Sequence, residues 1–141
     1  MTNQPDSQHL AGRGHSLFQE GDYSTAARYF EQAALLFVGE GEKVLAAEMW
    51  NNCNAARRKA GDLQEALKLA KASQMVFTSA GLFCKKAMAL GNQVAALEGL
   101  RRYEEALVTT ETVLSIQPGL SLRQQAQEAA QHFLLPSRQV K

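Results

Sequence analysis

The chain has 141 residues, 45% hydrophobic and 21% charged, with a net charge of +1; that is enough apolar material for one compact domain or a short stack of repeats, and three prolines argue against a disordered tail. Its longest apolar run, Ala33 to Val38, is far too short to cross a bilayer. The opening MTNQPDS lacks the basic start and apolar core of a signal peptide, so the expectation is a soluble, cytoplasmic protein with no membrane partner.

Residues 1–7 read as a flexible N-terminus. A first helix is predicted next, with Leu10, Gly14 and Leu17 on one face, and Gly21-Asp22 turns the chain. Ala26, Phe30, Ala33 and Phe37 then recur at helical spacing, so one face of a second helix must be buried. GEGEK at 39–43 is a short loop. A third helix carries Trp50, Cys53 and Arg57, and Gly61 ends it. Asp62 and Glu65, three apart, resemble a capping box opening a fourth helix with Ala66, Ala70, Ser73 and Phe77 on its apolar side.

SAGL at 79–82 is the next loop, and Leu90, Val94 and Leu97 mark a fifth helix. At the following turn Arg101-Arg102 replaces Gly-Asp and the nearest glycine is Gly99, so a longer or shifted turn is expected before a sixth helix with Ala106, Thr110 and Val113. Pro118-Gly119 stops it. Ser121 and Gln124 then open SLRQQAQEAAQHFLLP, in which Leu122, Ala126, Ala129 and Phe133 form one stripe up to Pro136. A lone amphipathic helix at this place reads as a cap on the end of a stack.

The three Gly-Asp-type turns lie 40 residues apart, and the same spacing joins Ala47 to Ala87, Asn52 to Asn92, Ala55 to Ala95 and Ala56 to Ala96. The unit is a helical hairpin written three times, over 8–42, 43–81 and 82–117, with 118–141 as capping helix and tail.

Residues 1–50 carry a charge of −4, 51–102 of +6 and 103–141 of −1. ARRKAG at 56–61, with Lys68, Lys71, Lys85, Lys86, Arg101 and Arg102, forms the positive belt, which suits an acidic peptide or a solvated face. No aromatic residue interleaves the 56–61 cluster, so nucleic acid is the weaker reading. Cys53 and Cys84 form no CxxC or Cys/His cluster and read as small buried hydrophobes. His9, His15 and His132 are scattered, and the metal-protease, P-loop, dinucleotide and nucleophile-elbow signatures are missing. No catalytic residue, metal or cofactor is expected, and the chain is read as a non-enzyme.

Leu10, Gly14, Leu17, Ala26 and Phe30 in the first copy, Trp50, Ala66 and Ala70 in the second, and Leu90, Leu97, Ala106 and Pro118 in the third resemble the tetratricopeptide repeat pattern W-x2-L-G-x2-Y, A-x3-F, P. Asn54 and Val94 depart from its small glycine and Arg57 from its aromatic position. The period is 40 rather than 34, similar to the longer repeats of kinesin light chain and related adaptors. Six added residues lengthen the helices by roughly 9 Å in all.

This resemblance implies an all-α superhelix of seven helices, three hairpins and a cap, whose first helices line a concave groove holding a peptide. It places His15, Glu48, Asn51, Asn52, Lys59, Met88 and Asn92 in that groove, beside Gln8, Ala11, Ala55, Gly91 and Ala95. Asn52 and Asn92 would form a two-rung amide ladder for a ligand backbone; the alternative is that they bond neighbouring helices or water. Ala11, His15, Asn51, Ala55, Gly91 and Ala95 occupy the places of the clamp that holds chaperone tails, so such tails are not expected ligands. The function expected is a protein-interaction or assembly module, with self-association through the end helices as the alternative.

Overall fold

Every twenty residues the chain makes the same turn. The computed structural model describes residues 6–116, which form six helices and no strand: α1 (Ser7–Gln19), α2 (Tyr23–Gly39), α3 (Lys43–Lys59), α4 (Leu63–Ser79), α5 (Phe83–Gly99) and α6 (Tyr103–Ile116). At all five turns the residue just past the helix cap has a positive φ: Gly21, Gly41, Gly61, Gly81 and Arg101. Two bonds close each one, as where Gly21 N–H donates to Phe18 O at 3.0 Å and Asp22 N–H to Leu17 O at 2.9 Å. These are the paired bonds of the Schellman motif, which satisfies carbonyls the helix end leaves open. The loops expected at 39–43 and 79–82 are thus the same three-residue turn as those inside the hairpins.

Two expectations about these turns are corrected. The Arg101 turn is neither longer nor shifted: Arg101 N–H reaches Glu98 O at 3.0 Å and Arg102 N–H reaches Leu97 O at 2.8 Å, with Arg101 at φ 63°. Gly99 is small for another reason, because a Cβ there would lie 2.8 Å from Leu63 Cδ1. Nor does Asp62 cap α4 through its side chain; its ψ is 75°, because its own N–H is tied back to Arg57 O at 2.8 Å. Asp6 has the extended ψ of 175° usual at an N-cap. Its carboxylate accepts from His9 N–H at 2.7 Å.

Ser7, read from the sequence as part of a flexible N-terminus, is the first residue of α1. Ser7 is buried and its hydroxyl donates to the Glu40 carboxylate at 3.2 Å. The expected seventh helix and the whole of 118–141 lie outside the described residues.

Packing passes from each helix to the next in chain order, α3 also touches α5, and no comparable packing joins α6 back to α1. The largest apolar cluster, with Leu10, Leu17, Phe30, Phe37, Met49 and Cys53, lies among α1, α2 and α3 and reaches Leu69 of α4. Two smaller ones follow, around Leu67 and Leu97 and around Phe77. Gly14 is required by the first: a Cβ there would stand 2.7 Å from the Phe30 ring. Forty residues on, Asn54 and Ala70 hold the two places, both fully buried. The large partner has changed helix, and the Asn54 amide donates to Ala66 O at 2.6 Å. The departure from the family glycine is therefore matched by a smaller residue opposite.

Candidate binding face

Glu48, Asn52, Ala55 and Lys59 are spaced 4, 3 and 4 apart and fall on one side of α3. The matching series are Gln8, Gly12, His15 and Gln19 on α1, and Met88, Asn92, Ala95 and Gly99 on α5. Small residues dominate the middle. Gly12 and Gly91 are exposed, and a Cβ added to either would meet nothing within 4 Å. Along this face the backbones of α1 and α5 stay approachable.

The expected groove residues are not alike. Asn52 and Met88 are half-buried and Lys59 is exposed. Asn51 and Asn92 are only 7% and 6% exposed, because they bond each other: Asn92 Nδ2 donates to Asn51 Oδ1 at 2.9 Å, and Ser73 Oγ donates to the same oxygen at 3.3 Å. Beside them Gln93 Nε2 donates to Gln74 Oε1 at 3.2 Å and to Ala70 O at 3.5 Å. Of the expected Asn52–Asn92 ladder, the Asn92 amide is already bonded within the fold. This second rung belongs to a buried polar seam joining α3, α4 and α5, and Glu48 extends the α3–α5 connection through an ion pair with Lys85. Burial strengthens such bonds and raises the cost of losing one partner.

Three cations of the positive belt, Arg57, Lys85 and Arg102, are compensated by carboxylates. Arg57 pairs with Glu31 at 2.9 Å and approaches Asp62 at 4.0 Å, and Arg102 pairs with Glu105 at 2.7 Å. Arg58 differs: it is half-buried, its Nε is shielded from water without a hydrogen-bond partner, and no acidic side chain among the described residues pairs with it. Burial pulls its guanidinium below the usual arginine range. Exposed Lys59 is the next residue.

His15 lies half-buried, its ring edge-on to Phe30 at 5.2 Å with Nδ1 unpartnered. Burial lowers its pKa from 6.5 and so favours the neutral ring. The Cys53 thiol is bonded to Ala27 O at 3.4 Å, and burial is the main reason its pKa is pushed up to about 12. It is an inert packing group. Among the described residues no set of three or more His, Cys, Asp or Glu is placed to hold a metal. None of the described helices is long and apolar enough to cross a membrane.

Sequence reasoning missed Ser73, Lys85, Gln93 and the isolation of Arg58. The bonds between α3 and α5 join residues 41 and 37 apart, both off the 40-residue period. Comparison at equal repeat positions therefore selected Asn52 where geometry selects Asn51. Family models, curated proteins and solved structures, compared with this chain, give no match.

Proposed function

We propose that the protein is a non-enzymatic, cytoplasmic interaction module. In this reading its three tetratricopeptide-like hairpins form an open superhelix, and the shared face of α1, α3 and α5 receives an acidic segment of a partner protein. The observation that carries the reading is Arg58. A half-buried cation without a counter-charge carries a desolvation cost, and a ligand carboxylate beside Lys59 would supply the missing acceptor. Asn52 offers an amide donor and acceptor two helical turns before Lys59, and Gly12, Ala55, Gly91 and Ala95 leave room for a main chain. Nucleic acid is the poorer fit, since Arg57, Lys85 and Arg102 of the belt are already held by carboxylates.

The test is selection from a random peptide library on the full chain, followed by affinity measurement with two charge-reversed variants. Acidic peptides should dominate the selected pool. Arg58→Glu with Lys59→Glu should weaken them by roughly tenfold or more, whereas Lys68→Glu with Lys71→Glu, on exposed positions of α4, should leave affinity within about twofold. Equal losses in the two variants would remove α3 as the site.

A second reading, self-association through the end helices, draws on the exposed apolar side chains Tyr103, Leu107, Val108 and Leu114 of α6. A molecular mass that rises with concentration would favour it.

A further inference from the structure

The stack of helices has two edges where the chain turns, and they differ in chemistry. Three-residue turns make each helix run antiparallel to the one before it, so the turns at 20–22, 60–62 and 100–102 lie along one edge and those at 40–42 and 80–82 along the other. The Ser7 hydroxyl bonded to Glu40 agrees with this, since it places the start of α1 beside the turn at 40–42. The first edge is charged at every turn, with Glu20 and Asp22, then Asp62, then Arg101 and Arg102. On the second edge the turn at 80–82 reads Ala-Gly-Leu, and among the described turns it alone carries no charged residue.

Exposed apolar side chains collect on that second edge. Leu35 is 72% exposed, Val38 49%, Met75 68% and Phe83 54%; the first two lie in the last five residues of α2, Met75 in the last five of α4, and Phe83 opens α5. With Leu36, these are all the large apolar side chains that the described residues expose outside α6. Leu35 and Met75 hold the same repeat position, 40 residues apart, so the ridge recurs from one hairpin to the next. Apolar side chains gathered in water on one edge mark a contact surface.

Charge decides what that surface fits. Its α2–α3 half carries Glu40 and Glu42 against Lys43. Its α4–α5 half is basic, since residues 66–97 contain Lys68, Lys71, Lys85 and Lys86 and no Asp or Glu. Lys85 is held by Glu48, but Glu42 and Lys86 enter no ion pair among the described residues. Each copy of the chain therefore carries both halves of a match. Setting like turn against like would oppose Glu40 and Glu42 to themselves. The crosswise arrangement, which a two-fold axis between the turns produces, opposes them to Lys86 and closes both contacts at once.

We propose that the protein pairs with a second copy of itself along this edge, the α2–α3 turn of each copy meeting the α4–α5 turn of the other. Leu35 and Val38 of one copy pack against Met75 and Phe83 of the second, and Glu42 faces Lys86. The outward side of α6 takes no part, and the shared face of α1, α3 and α5 stays clear in both copies.

Sedimentation equilibrium of the full chain over a range of concentrations tests this for wild type, Met75→Ser, Glu42→Lys, Lys86→Glu and an equimolar mixture of the last two. Wild-type mass should rise with concentration and level at twice the monomer mass. Met75→Ser should weaken association by roughly tenfold or more. Each charge reversal alone should weaken it by roughly tenfold, because two attractive contacts per dimer become repulsive. The mixture should return to within about threefold of wild type, since every crosswise contact then joins opposite charges again. Met75 and Glu42 are exposed and Glu42 makes no side-chain cap bond, so helix content by circular dichroism should be unchanged. A wild type still monomeric at about 1 mM, association indifferent to Met75→Ser and to both reversals, or a mixture as weak as either variant alone would each overturn the inference; the second result would give the contact to α6.

Discussion

The junction of α1, α2 and α3 and the junction of α3, α4 and α5 occupy equivalent places in the repeat but are built from different materials. The first is apolar, a cluster of Phe30, Phe37, Leu10, Leu17 and Met49 in which the Phe30 ring closes on Gly14. In the second, Ser73 stands where the first has Ala33, Gln93 where it has Cys53, and Ala70 where it has Phe30. Amide and hydroxyl groups bond across the gap between two small apolar clusters. Apolar packing is strong but indifferent to small shifts in pairing, whereas a buried amide pair is satisfied at one register only. The second junction therefore fixes how α3 and α5, two of the three helices of the candidate face, lie side by side.

The largest effect should come from the apolar side of this comparison. Phe30→Ala removes the ring against which Gly14 is shaped and should cost about 3–5 kcal/mol in urea unfolding. Adding Gly14→Asn, which imports the Asn54/Ala70 arrangement into the first hairpin, should return about 1 kcal/mol or more through a bond to the Ala26 carbonyl. No recovery would mean that the two hairpins solve their packing independently.

On the polar side, Asn92→Ala should cost about 1–3 kcal/mol, because Asn51 is left buried with one partner fewer. Replacing Asn51 and Asn92 together by Leu should cost less than the two single replacements added, since no orphaned amide remains. Additive losses in that double-mutant cycle would show that the amides do not act as a pair.

Much of this architecture is legible in the sequence, because apolar spacing and glycine turns are local signals. Gly21 and Gly61 are readable as stops without any structure. The left-handed Arg101 is not, since nothing in an Arg-Arg pair signals a positive φ; the turn is imposed by helices packed on both sides. Asp62 was read as a cap because its type and its spacing to Glu65 are right, but the backbone bond to Arg57 sets its ψ first. Of the candidate face, the helical spacing of Lys59, Asn52 and Met88 was accessible to pattern. The burial of Asn51 and Asn92 was not, because it depends on a one-residue offset between neighbouring helices.

Smaller effects sharpen the contrast at its edges. Arg101→Gly should stabilise the chain by about 1 kcal/mol, read as a higher urea midpoint, since glycine carries no Cβ penalty at that φ. His15 should add a weak acid sensitivity to the first junction alone. Its folded pKa lies below 6.5, so the unfolded chain binds the proton more readily, and stability falls as pH drops from about 6.5 through the folded value. His15→Gln should flatten that part of a stability–pH curve; an unchanged slope would assign it to other groups.

The central claim, that the shared face of α1, α3 and α5 is the working surface, is tested most directly by titrating isotope-labelled full-length protein with a selected acidic peptide and following its amide resonances. The account predicts the strongest shifts at the Asn52 side-chain amide and at the backbones of Gly12, Ala55, Lys59 and Ala95, with Lys68 and Lys71 unmoved. Shifts confined to α4 or to the outward side of α6 would contradict it.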